Sequence, residues 1–334
     1  MRAQGTGGAV LLFVLALVAL LASLAVTTIR TAQVEVFAAY GGIYARQARG
    51  TVESGLLAAA AVLLPAKPAD SDNLTQDWAF FPDLASYPGA TFLDGHISGR
   101  IEDESGKFPI NALHPGLADH AAYQAVFLRL LTGEALALPE DRAKALLAAL
   151  VDWLDADDQT SPGGAEDAAY AAAQLPYRVR NNSLDTLGEL LLIQGFSHDL
   201  LNGRDDRPGL LSLLTVWGSG LINVNTAPLP VLAALPSGQS AAQAAALARS
   251  LDAYRRDPVR QGELASLVWL TKTGGSDSAQ WPSNLLTTRS LYYAVTLEGR
   301  SGAASTRLFA VLKRDKAHQS GKPPSCTVLY RELR

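Results

Sequence analysis

Sulfur is scarce in this sequence, which has one cysteine, Cys326, and one methionine, Met1, in 334 residues. A single cysteine excludes an intramolecular disulfide, so a body outside the cytoplasm must be stabilised by packing or by a metal. Catalytic motifs are also missing: there is no GxSxG elbow, no GxGxxG or Walker phosphate loop, and no HExxH zinc motif. The net charge of −4 argues against a nucleic-acid-binding protein, which usually carries a basic patch.

Charge is absent from residues 9–29, which read AVLLFVLALVALLASLAVTTI. A helix over this run would span roughly 30 Å at ~1.5 Å per residue, which is the thickness of a bilayer's hydrocarbon core. A single apolar segment can satisfy its backbone in lipid only as a helix. Two fates are open for it: a secretory signal cleaved after Ala25, or cleavage after Gly8 with the helix retained in the mature protein.

The helical spacing of apolar residues continues beyond the charge-free run and stops at the first proline, Pro65. Gly41, Gly42 and Gly50 weaken this helix without ending it. We therefore predict a short leader over residues 1–8 and one helix over residues 9–64, with one half in lipid and the other half amphipathic.

Three further blocks follow this helix. Residues 65–107 contain a Pro-, Asp- and Ser-rich loop and one predicted strand, residues 108–285 are mostly helical, and residues 286–334 hold three β-rich runs joined by turns. The predicted helices are residues 118–131, 140–154, 183–194, 230–235 and 241–254, and the predicted strands are residues 91–102, 290–298, 306–314 and 326–331. The fold is therefore predicted to be α+β: a long N-terminal helix packed on a small antiparallel sheet, with a large all-α domain inserted between the strands.

The densest polar cluster is residues 151–167, VDWLDADDQTSPGGAED. So many carboxylates in one loop repel each other unless a cation neutralises them, and oxygen ligands suit Ca²⁺. Counted as an EF-hand, Asp155, Asp157, Gln159 and Glu166 take the first, third, fifth and twelfth places, but Thr160 stands where that loop needs glycine. Three interpretations stay open: a calcium site, a solvated acidic loop, and a carboxylate pair for acid–base catalysis by a membrane-anchored hydrolase.

Residues 222–256 resemble a helix-hairpin-helix segment of DNA-uptake and repair proteins, in which a glycine-containing turn presents N–H groups to a phosphate. Only Gly238 remains in the turn PSGQS, and basic side chains are sparse before Arg249, Arg255 and Arg256. DNA binding by a membrane-anchored protein is the alternative function; a protein-binding or purely structural unit is the other interpretation. Residues 107–115, KFPINALHP, also echo residues 221–230, LINVNTAPLP, which suggests duplicated helical units.

Several stretches together resemble the type II secretion system minor pseudopilin K family, also called general secretion pathway protein K. They are the apolar leader, DESGKFPINAL, LVDWLDADDQTSPGGAEDAAY, PYRVRNNSLDTLGELLLIQGF, INVNTAPLPVLAAL, YYAVTLEGR and TRLFAVLKR. They follow the family's order over nearly the whole chain, and the acidic block and INVNTAP are the specific ones. Residues 197–220 match nothing in the family's pattern.

The resemblance implies that a prepilin peptidase cuts after Gly8 and leaves Ala9 as the mature N-terminus, which is commonly N-methylated. Most pilin-like subunits carry a glutamate five residues into the mature chain, where this sequence has Phe13. The K subunit characteristically lacks that glutamate. A subunit without it needs no neighbour above it, which fits the tip of a fibre.

The resemblance further implies a non-enzymatic subunit anchored in the inner membrane, with its body in the periplasm. It would initiate and cap the pseudopilus with the minor pseudopilins I and J, and H is a further candidate partner, for export of folded proteins across the outer membrane. No nucleic acid is expected as a partner. The family fold binds calcium, and the candidate ligands here are Asp155, Asp157, Asp158, Glu166 and Asp167.

Overall fold

The computed structural model describes residues 7–64, 70–81, 95–171, 176–204, 207–273, 279–315 and 325–334. Its longest element is α1, Gly7–Val62, a helix of 56 residues. At ~1.5 Å per residue this helix is roughly 84 Å long. Within those described ranges it is the one helix that is long and apolar enough to cross a membrane, judged by length and composition. The predicted single long helix is confirmed.

The remaining elements are short, apart from four strands and three helices. The strands are β1 (Gly95–Asp103), β2 (Phe108–Pro109), β3 (Gly203–Arg204), β4 (Arg207–Pro208), β5 (Leu214–Thr215), β6 (Ile222–Asn223), β7 (Leu286–Thr287), β8 (Tyr292–Ser301), β9 (Ala304–Arg314) and β10 (Cys326–Leu333). The helices after α1 are α2 (His120–Thr132), α3 (Glu140–Leu154), α4 (Asp167–Ala171), α5 (His198–Asn202), α6 (Leu229–Ala234) and α7 (Ala241–Arg255). Short 3-10 helices connect many of these elements.

Among the described residues, only the second half of α1 packs on the rest of the protein. Residues 8–41 are exposed along their whole length. The buried side chains further along recur every three or four residues, which is the spacing of one helix face; they are Ala48, Val52, Leu56, Ala59 and Leu63. The first half of the helix is therefore free to lie in a membrane while the second half anchors the sheet.

The sheet under α1 is antiparallel, with the strand order β1-β8-β9-β10. Alternate residues of β9 face the helix: Leu308, Ala310 and Leu312 are buried there. The helix lies so close that a Cβ built at Gly299 would be 2.6 Å from the backbone oxygen of Ala48. The predicted meander of the last three strands, paired with the earlier strand β1, is confirmed.

The inserted domain lies in the chain between β1 and β8 and has its own hydrophobic core, separate from the core between α1 and the sheet. The echo found in the sequence corresponds to a structural repeat, because β2 pairs in parallel with β5 and β6 pairs in parallel with β7. The first strand of each pair is followed by two helices: β2 by α2 and α3, and β6 by α6 and α7. The domain is therefore mainly helical but not free of strands.

One predicted helix takes another form. Within residues 183–194 the structure has a 3-10 helix, Leu187–Leu192, that begins with a capping box between Thr186 and Glu189. Gly188 and Gly195 lower the helix propensity of the run, so it closes as a tight turn instead of an α-helix.

Candidate functional site

The acidic loop folds back against the end of α3. Asp152, in the last turn of that helix, is fully buried and accepts a hydrogen bond from the backbone N–H of Ser161, with 3.1 Å between Ser161 N and Asp152 Oδ2. A Cβ built at Gly164 would lie 2.1 Å from the same oxygen, so a side chain there would push the loop off the helix. This return brings the carboxylates of the loop together.

Glu166 is the most constrained of these carboxylates. Its residue is 4% exposed, and neither carboxylate oxygen has a hydrogen-bond donor among the described residues. Burial, followed by the negative charges of Asp152, Asp155, Asp158 and Asp157, raises the pKa of Glu166 to about 7. A buried carboxylate of this kind needs a proton or a cation to neutralise it.

The aspartates around Glu166 are only partly satisfied. Asp155 has one buried oxygen without a donor, and its pKa is raised by burial first and by Asp157 and Asp152 next. Asp157 accepts the backbone N–H of Gln159 at 2.8 Å, which shapes the turn. The structure thus brings Asp155, Asp157 and Glu166 into one electrostatic group, as their spacing in the sequence predicts.

Asn181 joins this group from a separate segment. Its side-chain amide donates to the backbone oxygen of Asp157 at 3.2 Å and to Asp158 Oδ1 at 3.0 Å, while its own Oδ1 is buried without a donor. The backbone is left-handed at this residue, with φ of 49°. Asparagine tolerates that conformation better than most residues. Sequence reasoning missed Asn181 because only the fold brings it to the loop.

Asp167 has a different environment from the other candidate ligands. One of its oxygens accepts the backbone N–H of Val179 at 2.8 Å, and the residue opens α4. In the described part of the chain, no group of three or more His, Cys, Asp or Glu side chains is arranged to hold a metal ion. The side-chain atoms of the loop that could bind a metal ion are nevertheless all oxygens, the ligand type that Ca²⁺ prefers.

The candidate residues for processing and for the tip position lie on the exposed part of α1. Gly8 has no neighbouring atom within 4 Å of a built Cβ, and Phe13 is 71% exposed. Ala9 follows Gly8 in the same exposed helix. None of the described residues covers this segment, so a peptidase or a neighbouring helix has access to it.

The helix-hairpin-helix segment forms α6 and α7, but its basic residues are occupied. Arg255 is 1% exposed and donates to the backbone oxygens of Val224 at 2.8 Å and Ala227 at 2.7 Å. Arg256 pairs with Asp252, with 2.8 Å between Nε and Oδ2. Two of the three arginines that follow the hairpin turn therefore make contacts within the protein.

The INVNTAP motif serves as a joint between the inserted domain and the sheet. Asn223 donates to Ser290 Oγ at 2.7 Å, just before β8, and Thr226 donates to Asp103 Oδ2 at 2.5 Å, at the end of β1. Asn225 donates to the backbone oxygen of Leu264 at 3.0 Å. The motif thus makes buried hydrogen bonds that join the inserted domain to the sheet.

Comparisons with known proteins agree with this architecture. A family model described as type II secretion system (T2SS), protein K, matches residues 106–203. Type II secretion system protein K of Pseudomonas aeruginosa is 31% identical over 237 residues, which cover 70% of this chain and 68% of that protein. The chain belongs to the type II secretion system protein K family. The alternative of a DNA-binding protein has no support from these matches.

Other protein K relatives match over shorter stretches. The relative from Pectobacterium carotovorum is 38% identical over 122 residues, 34% of this chain and 37% of that protein. The relative from Klebsiella pneumoniae is 38% identical over 145 residues, 41% of this chain and 42% of that protein. These two alignments thus span less than half the length of each relative.

A solved structure has the same fold. It comes from the crystal structure of the GspK-GspI-GspJ complex of the enterotoxigenic Escherichia coli type 2 secretion system, with a TM-score of 0.60. The match covers 91% of this chain and 99% of that chain at 19% sequence identity. The likeness therefore concerns the fold over about nine tenths of this chain.

Proposed function

We propose that this chain is a minor pseudopilin that occupies the tip of the type II secretion pseudopilus, where it initiates and caps the fibre. The observation that carries the proposal is the division of α1: residues 8–41 are exposed and apolar over most of their length, while the buried face further along supports the sheet. Such a helix anchors the subunit in a membrane before assembly and packs against other subunits afterwards. Membership of the protein K family supports the same role.

Processing after Gly8 is part of the proposal, with a prepilin peptidase as the enzyme and Ala9 as the methylated N-terminus. Mass spectrometry of the protein purified from a secreting bacterium tests it. The expected N-terminal residue is Ala9 with one additional methyl group. An N-terminus at Val26 would mean that the helix is a removable secretory signal, and the fibre role would be wrong.

The proposed partners are the minor pseudopilins I and J, and H as a third. The solved neighbour of 19% identity was crystallised as a GspK-GspI-GspJ complex, which supports the choice of partners. Full-length chain coexpressed with tagged I and J should copurify with them from detergent-solubilised inner membranes. Recovery of I with J but without this chain would contradict the proposal.

A calcium ion in the acidic loop is the proposed cofactor. The support comes from the orphaned buried oxygens of Asp155, Glu166 and Asn181, which lack donors and fit a hard cation. Asp157 and Asp158 add negative charge to the same loop. Asp167 accepts a hydrogen bond from the backbone N–H of Val179 and so holds the segment around Val179 in place. Calcium would supply the positive charge that these residues need, so its role is structural: it would hold residues 155–167 against the segment that carries Asn181.

A further inference from the structure

The second helical unit carries a cleft that neither the proposed tip role nor the calcium loop uses. It lies between the end of α2, helix α6 and the first half of α7, and has a volume of about 730 Å³. Pockets of several hundred Å³ are the size that proteins use for ligands and peptide side chains. Its lining is mostly leucine, proline and alanine.

The sequence of α7 keeps this cleft open. The residues of α7 that line it before Arg249 are all alanines: Ala241, Ala244, Ala245 and Ala248. Larger side chains at those positions would fill the space between α7 and α6. The cleft is therefore built into the same helix-hairpin-helix segment whose arginines Arg255 and Arg256 are occupied elsewhere.

The rim of the cleft is positively charged. Among the described residues that line it there are three arginines, Arg129, Arg207 and Arg249, against one carboxylate, Glu134. Glu134 pairs loosely with Arg249, at 3.8 Å between the nearest oxygen and nitrogen. The first turn of α7 also faces the cleft, and the N-terminal end of a helix is favourable for negative charge.

Arg129 is half-buried, whereas Arg207 and Arg249 are exposed. Arg129 donates from Nε to the backbone oxygen of Ala234 at 2.8 Å and from Nη2 to that of Leu235 at 3.0 Å, which caps the end of α6. Burial lowers its pKa, and no carboxylate of the described residues counters that effect. A charge that is partly desolvated and has only carbonyl partners is stabilised by an incoming anion.

We propose that this cleft binds an apolar peptide segment of another protein that carries a carboxylate beside its apolar side chains. The apolar side chains would lie on the alanine-lined floor, and the carboxylate would lie at the arginine rim. Charge complementarity selects an acidic peptide over a neutral or basic one. The lining of the cleft shares no residue with α1 or with the acidic loop, so its test can fail while the tip role and the calcium site stand.

The test uses the full chain in lipid nanodiscs and two fluorescein-labelled helical peptides. One peptide is built from Leu, Ala and Glu; the other has Gln in place of every Glu. Fluorescence anisotropy should show the Glu peptide binding about tenfold more tightly, since a charge-assisted hydrogen bond to arginine contributes about 1.5 kcal/mol or more. Added salt should reduce this difference.

Two variants of α7 separate the cleft from the rest of the surface. Ala245→Trp fills the cleft and should abolish binding, whereas Ala242→Trp, at an exposed position of the same helix outside the cleft, should leave it unchanged. Arg249→Gln should weaken the Glu peptide several-fold and leave the Gln peptide unaffected. Equal binding of the two peptides, binding that survives Ala245→Trp, or no binding of either peptide would each overturn the proposal.

Discussion

Thr226 donates a hydrogen bond of 2.5 Å to Oδ2 of Asp103, and this contact ties the inserted domain to the last residue of β1. Asn223 donates to the same carboxylate oxygen at 3.3 Å, and the Ser290 hydroxyl donates to it as well. Behind them, Asp72 pairs with Arg314 at 2.6 Å. The joint between the two parts of the protein therefore buries two carboxylates with one guanidinium.

This joint should make stability depend on pH. Burial raises the pKa of Asp103 from 3.8 to about 6 in the folded protein, although the hydrogen bonds that the carboxylate accepts act in the opposite direction. Because the folded state then binds more protons at Asp103 than the unfolded state does between those values, the contribution of Asp103 to the free energy of unfolding should fall as pH rises from about 4 to about 6 and stay constant above. The expected loss is on the order of 3 kcal/mol.

The variant Asp103→Asn should remove this part of the pH dependence, because an amide has no proton to lose. The comparison is made by measuring the melting temperatures of wild type and variant from about pH 4 to about pH 8, a range that includes the raised pKa of Asp103. A wild-type curve that stays parallel to the variant curve would show that Asp103 is not the group responsible.

Removal of calcium should lower the melting temperature. A ligand that binds only the folded state stabilises it by mass action, so EGTA should destabilise wild type and added calcium should restore it. Glu166→Gln should lose most of this calcium response, because the carboxylate with two orphaned oxygens becomes neutral. Asp70→Asn, which changes an exposed carboxylate outside the loop, is the control and should respond as wild type does.

A melting temperature that is the same in EGTA and in calcium would contradict the calcium proposal. If Glu166→Gln is more stable than wild type and neither protein responds to calcium, the loop is an acidic loop that binds no ion.

Two glycines should respond to alanine in opposite directions. Gly299→Ala places a Cβ 2.6 Å from the Ala48 oxygen and should destabilise the protein by about 2 kcal/mol, since the sheet must move off α1. Gly50→Ala lies in the exposed side of α1 with open space around it and should stabilise the helix by up to ~1 kcal/mol. Unfolding in denaturant measures both, and equal effects would show that the helix–sheet contact is looser than described.

Arg255 and Arg256 are neighbours with different expected effects. Arg255→Ala leaves the buried oxygens of Val224 and Ala227 without their donor and should cost about 3–5 kcal/mol. Arg256→Ala removes an exposed partner of Asp252 and should cost less than about 1 kcal/mol. The free energy of unfolding decides between them; a small effect at Arg255 would place that side chain at the surface.

Phe13→Glu tests the tip position in a secreting bacterium. A subunit at the tip has no neighbour above it whose N-terminus could neutralise the new carboxylate, and an unpaired charge in the bilayer is costly. Secretion should therefore fall with Phe13→Glu and stay normal with Phe13→Leu. Normal secretion with Phe13→Glu at normal protein levels would argue that a neighbour lies above this subunit.

The long helix, the order of strands and the acidic loop were all predictable because each rests on neighbouring residues. Charge-free residues 9–29 require a helix in lipid, and β-branched and aromatic residues between turns indicate β8 and β9. The run at residues 183–194 was predicted as an α-helix and is a 3-10 helix instead, since spacing alone does not resolve the two where Gly188 interrupts the pattern.

The sequence by itself determined the membrane helix, the α+β order of elements and the concentration of carboxylates in one loop. Only the tertiary structure decided which oxygens lack donors, that Asn181 lies beside Asp158, and that Asn223 and Thr226 of INVNTAP hold Asp103. Helix and strand patterns are local, whereas these contacts join residues that are 23, 120 and 123 positions apart. Burial and hydrogen-bond satisfaction at such distances depend on packing, which no local pattern encodes.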